Sequence, residues 1–135
     1  MKKQIFINLP VTDLKRSMDF YAKVGFTNNP QFTDETAACM FLSDEIFVML
    51  LTHAKFSQFT KKKIADTITT TAVINSLSVE SNDAVNAFAA RAIEAGGTEP
   101  TEPKDYGFMQ QRSFEDPDGH LWEVFYMDIT KFPNQ

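Results

Sequence analysis

Between Ile5 and Val11, apolar Ile5, Ile7, Leu9 and Val11 alternate with Phe6, Asn8 and Pro10, the two-residue period of a strand with one face against a core. The period then changes. Thr12-Asp13 supplies a helix N-cap, Leu14, Met18, Tyr21 and Ala22 recur at helical spacing, and Gly25 stands where a left-handed residue closes a helix. Two further strands are predicted, Ala38 to Leu42 and Ile46 to Leu51, separated by the turn-forming Ser43-Asp44-Glu45.

The remainder of the chain repeats this plan. Leu9-Pro10-Val11 matches Leu77-Ser78-Val79, and nine residues after each valine stands a helix phenylalanine, Phe20 and Phe88. Val85, Phe88, Ala89 and Ala92 form the stripe of the second helix, and Gly96-Gly97 closes it. Phe41 is matched with Phe114 and, nine residues on, Leu50 with Glu123. The pattern predicts one domain over 1–135, with a first module at about 4–53, a connection at 54–71, a second module at 72–128 and a tail at 129–135. Each module runs strand-helix-strand-strand, with an extra strand near Thr27 to Thr33 and near Thr98 to Glu102. The connection carries Phe56, Phe59 and the run Lys61-Lys62-Lys63, read as a short helix with loops and a solvated charged face.

Composition narrows the function classes. A chain of 135 residues that is 43% hydrophobic has the core of one folded domain. A net charge of −5, from 13 basic and 18 acidic side chains, argues against a nucleic-acid partner. No apolar run reaches the ~18 residues of a membrane span, and Met1-Lys2-Lys3 leads into no signal-peptide core, so a cytoplasmic protein without a membrane partner is expected. The single cysteine, Cys39, makes no intramolecular disulfide and reads as a buried packing residue. Thirteen phenylalanines beside one Trp and three Tyr either fill a core or line a pocket. Ile5, Leu9, Met18, Phe20, Val79, Phe88 and Trp122 are assigned to the helix-to-sheet core, which leaves Phe6, Phe125 and Phe108 for a pocket.

The motif Val11-x-Asp13-Leu14-x-x-Ser17-x-x-Phe20-Tyr21, then Asp116-Pro117-Asp118-Gly119-x-x-x-Glu123 on a twofold repeat, resembles the glyoxalase/bleomycin resistance protein/dioxygenase superfamily, the vicinal oxygen chelate proteins. The resemblance covers nearly the whole chain. It implies an α+β fold of two tandem βαβββ modules forming a curled mixed-sheet cleft with helices outside, commonly as a homodimer, and a small-molecule ligand. In metal-dependent members four ligands sit on the first and last strands of the two modules, and the positions carried over are Phe6, Leu50, Ile74 and Glu123. Only Glu123 offers a donor for a divalent ion. The expectation is therefore the family scaffold without its metal or any other cofactor, binding a small apolar or aromatic ligand. Two alternatives stay open: a lactoylglutathione-lyase-type or extradiol-dioxygenase enzyme using Ni, Zn, Fe or Mn on non-standard ligands, and metal-free catalysis with Glu123 as general base.

Strand alternation directs Phe6, Asn8 and Pro10, then Ile74, Ser76 and Ser78, and finally Glu123 and Phe125 into the cleft. Leu50 joins them through the repeat, and His53, three residues further, is placed at the rim. A carboxylate among apolar neighbours suits proton transfer or pairing with a ligand cation, which makes Glu123 the tentative acid or base. Phe108 and Met109 end the segment from Lys104, read as an adaptable lid or as ordinary filling beside an edge strand. His120 is assigned to packing, and Asp116-Pro117-Asp118-Gly119 to a strand-joining turn.

Overall fold

The computed structural model describes residues 1–131, and the chain divides after Thr70 into two compact units. Residues 132–135, the end of the expected tail, lie outside the described part.

The first unit contains β1 (Ile5–Val11), α1 (Leu14–Val24), β2 (Thr27–Asn29), β3 (Ala37–Phe41), β4 (Ile46–Thr52) and α2 (His53–Phe56). Its sheet has the order β1-β4-β3-β2, with β1 parallel to β4 and the other pairs antiparallel. Asp13 caps α1 by accepting the Arg16 N–H at 3.0 Å, and Gly25 closes it at φ 131°, a conformation other residues adopt only under strain. The helix buries Ser17, Phe20, Tyr21 and Val24 and packs on β3 and β4. Ala22, expected in that stripe, is exposed, and Met18 is half-buried. Ile5, expected in the core, is 56% exposed because it begins the edge strand, beyond the cover that α1 gives to β3 and β4.

The second unit contains β5 (Asn75–Ser78), α3 (Asn82–Glu94), β6 (Lys104–Asp105), β7 (Met109–Glu115) and β8 (Leu121–Met127). The sheet order β5-β8-β7-β6, again with the first strand parallel to the last, reproduces the first unit. Ser81 caps α3 through the Ala84 N–H at 3.0 Å, and Val85, Phe88, Ala89 and Ala92 are buried against β7 and β8. Phe114, Trp122 and Val124 are fully buried, with the Phe114 and Trp122 rings nearly parallel at 6.2 Å and Phe88 5.9 Å from Phe114. The fold is thus the expected α+β arrangement of two four-stranded mixed sheets with helices.

The extra strands fall differently from the sequence pattern. Thr27 to Thr33 shortens to Thr27–Asn29 because Pro30 opens a 3-10 turn. Thr98 makes only an isolated bridge to Glu115, since Pro100 and Pro103 lack the N–H a ladder needs, and the edge strand forms instead at Lys104–Asp105.

One ion pair ties the chain after α3 to β7. Arg112 donates Nε and Nη2 to the two Glu99 oxygens at 2.8 Å each, and Nη1 to Asn86 Oδ1 on α3 at 3.2 Å. These bonds hold the Glu99 carboxyl below its ordinary range, against the desolvation that would raise it. The two side chains are only 20% and 22% exposed, so Arg112→Leu is expected to cost about 1–2 kcal/mol at pH 7, between the ranges for exposed and buried pairs. Because folding depresses the Glu99 pKa, this stability is present above the unfolded value near 4.5 and is lost as pH falls through the folded one. Urea unfolding of wild type and variant from pH 7 to pH 3 should show the gap closing on the acid side.

Candidate functional site

Strand register decides which side chains share the sheet face opposite each helix. In the first unit Phe6 pairs with Phe47, Asn8 with Met49 and Pro10 with Leu51 across β1 and β4, while Phe41 pairs with Phe47 and Cys39 with Met49 across β3 and β4. Paired residues point to the same side. Phe6 stacks on Phe47 at 4.4 Å and 16°, with Phe41 6.0 Å from Phe47, and Phe6 remains 47% exposed. Cys39 is buried on this face, and burial pushes its thiol pKa up, away from the nucleophilic thiolate.

Leu50 does not belong to that face. It pairs with Leu9 and is fully buried on the helix side with Val48, Met40 and Ala38. The difference from the expected cleft position follows from the phase of the repeat. Met40 pairs with Val48 as Phe114 pairs with Trp122, so Met40 is the true counterpart of Phe114, and Met49 of Glu123. Both frames keep a spacing of nine residues, but a slip of one residue in a strand turns the side chain to the other face. Asn8 and Ser76 hold matching places, opposite Met49 and Glu123, whereas Phe6 lies one pair further out. Ile74 precedes β5 and is 50% exposed, so it has no place in the ladder.

In the second unit Ser76 and Ser78 of β5 share a face with Glu123, Phe125 and Met127 of β8 and with Met109, Gln111 and Ser113 of β7. Glu123 is half-buried; its Oε1 accepts the Ser76 hydroxyl at 3.0 Å and its Oε2 accepts the Gln111 amide N–H at 2.8 Å. It has no Lys, Arg or His partner among the described residues. Gln111 is the functional neighbour that motif reading passed over, although the alternation of β7 puts it on the Glu123 side together with Ser113.

The remaining candidates are dispersed. Met109 opens β7 opposite Met127, on the Glu123 face, and Phe108 just before it is half-buried with its carbonyl accepting the Asp128 N–H at 2.7 Å. The segment from Lys104 forms a tight hairpin: the Tyr106 N–H donates to the Met109 carbonyl at 2.8 Å, and Asp105 Oδ1 accepts from Gly107 N at 2.8 Å and Gln110 Nε2 at 3.0 Å. His53 is the exposed first residue of α2. His120 is buried at the end of the expected turn, where Asp116 Oδ1 accepts the N–H groups of Asp118 and His120 at 3.0 and 2.9 Å.

A family model described as the Glyoxalase/Bleomycin resistance protein/Dioxygenase superfamily matches residues 3–124. The chain belongs to this superfamily. Among solved structures, the chain is similar to a hypothetical protein from S. aureus, with 25% identity, a TM-score of 0.78 and coverage of 93% of this chain and 94% of that one. The fosfomycin resistance protein FosX from Mesorhizobium loti shares 14% identity and a TM-score of 0.70, covering 96% of each chain. The antibiotic binding protein TnmS3 from Streptomyces sp. CB03234 shares 20% identity and a TM-score of 0.66, covering 94% of this chain and 97% of that one. No curated protein matches the chain. No helix among the described residues is long and apolar enough to cross a membrane.

The divalent metal that the superfamily implies can be tested against the donors present. The positions carried over from the resemblance hold Phe6, Leu50, Ile74 and Glu123, and the residues facing Glu123's side of the register add Asn8 and Met49 in the first unit and Ser76 in the second. Among the described residues no group of three or more His, Cys, Asp or Glu side chains could hold a metal ion. An amide, a thioether, a hydroxyl and one carboxylate already engaged by two neutral donors do not fit a divalent transition ion, which takes imidazole, thiolate or several carboxylates.

Proposed function

We propose that this superfamily member binds a small apolar or aromatic molecule on its Phe-rich sheet faces, without the metal of its metal-dependent relatives. The observation that carries this reading is the first unit's aromatic platform, in which Phe6 stacks on Phe47 yet keeps 47% of its surface exposed. Rings that only filled a core would be covered. A large apolar surface with few polar groups is what a small-ligand site needs, and offset ring stacking rewards a planar partner. In the second unit Phe125, Met109 and Met127 supply adaptable apolar surface beside one carboxylate. The same fold in an antibiotic binding protein, TnmS3, is compatible with this reading.

The test is a thermal-shift titration of the full chain with mono- and bicyclic aromatic compounds up to ~1 mM. At ten times its Kd a ligand adds about 1.4 kcal/mol, or roughly 4 °C for a domain of this size. At least one compound is expected to reach that shift and to lose it in Phe47→Ala. A flat response across the whole panel overturns the proposal.

A further inference from the structure

We propose that the group received at the second unit's sheet face is a cation bearing N–H donors, a protonated amine or an amidinium, taken by Glu123; this deepens the binding function proposed above and rests on it. A carboxylate is an acceptor only, with about four lone-pair directions on its two oxygens. Ser76 occupies one direction on Oε1 and Gln111 one on Oε2. Both donors are neutral. They fix the orientation of the group and leave its charge uncompensated.

Glu99, likewise a half-buried carboxylate, gives a contrast. It is matched by the Arg112 guanidinium through two bonds of 2.8 Å. Glu123 has no such partner among the described residues, and its cross-strand neighbour Ser113 is engaged with the Thr101 hydroxyl at 2.8 Å. A half-buried negative charge of this kind is stabilised by whatever cation reaches it. The two remaining lone-pair directions, one per oxygen, suit the parallel N–H groups of an amidinium or two donors of an ammonium. Since the Gln111 amide must turn its NH2 end to the carboxylate, its own oxygen stays on the same face as a further acceptor. Phe125, two residues along β8 on that face, offers a ring to the same positive charge. An anion is repelled here, and a neutral ring leaves the carboxylate as it was.

Benzamidine and its neutral isostere benzamide separate the possibilities when titrated into the full chain and followed by NMR shifts of backbone amides. Benzamidine is expected to bind roughly tenfold more tightly than benzamide or better. The preference should vanish in Glu123→Gln, with thermal melting confirming that this near-isosteric variant is folded. Equal affinity of the two probes, or a preference that survives Glu123→Gln, overturns the cation assignment while leaving aromatic binding intact. Binding of neither probe, together with a flat aromatic panel, overturns both.

Discussion

Trp122→Ala is expected to remove about 3–5 kcal/mol of stability, the range for deleting a large aromatic from a packed core. The reason lies in where the ring stands. Trp122 is fully buried, lies parallel to Phe114 at 6.2 Å, and Phe114 in turn packs 5.9 Å from Phe88 on α3. Helix and sheet of the second unit are therefore joined through one column of rings, and removing its end leaves a cavity that neither a strand nor a capped helix can easily collapse into. Urea denaturation followed by far-ultraviolet circular dichroism measures the loss. A value under about 1.5 kcal/mol, the scale of a conservative core swap, would place the centre of this core elsewhere.

Leu50→Ala and Met49→Ala should differ sharply although the residues are neighbours. Leu50 is fully buried against the α1 side, so its truncation is expected to cost about 2–5 kcal/mol. Met49 is half-buried on the opposite face, beside Asn8 and Cys39, and its truncation should cost under about 1.5 kcal/mol, since little of it is removed from water and a flexible side chain fills space loosely. Ligand response should show the reverse order, with Met49→Ala altering aromatic binding and Leu50→Ala leaving it unchanged once the protein is folded. Chemical denaturation and thermal-shift titration of both variants check the pair. Equal stability losses would contradict the register that separates the two faces.

Helix signals are strong where they are local and chemical: Asp13 acts as an N-cap, and Gly25 takes the positive φ that its position requires. The twofold repeat was legible because Leu9-Pro10-Val11 and Leu77-Ser78-Val79 sit at the same place in their sheets, and with it the family. The matched hairpins misled by one residue, because Phe41 and Phe114 look alike while Met40 is the structural partner of Phe114. In an apolar strand such as Ile46–Thr52, both faces read as hydrophobic, so alternation provides no phase. The edge strand at Lys104–Asp105 escaped notice because two residues are too few to show a period. Gln111 was missed because its role depends on a cross-strand neighbour twelve positions away in sequence, which no local motif records.

The parallel seam that joins the first strand of each sheet to its last has a bearing on how the protein is made. Partners such as Ile5 and Ile46 are separated by 41 positions in the chain. At ribosomal rates of about 5–20 residues per second, β1 leaves the peptidyl-transferase centre some 2–8 s before β4 has even been synthesised. During that interval an apolar segment, Ile5-Phe6-Ile7, has no strand to lie against. The nascent β1 segment therefore stays unpaired until β4 follows it, and slowing translation before residue 52 should lower the yield of folded protein more than slowing it afterwards.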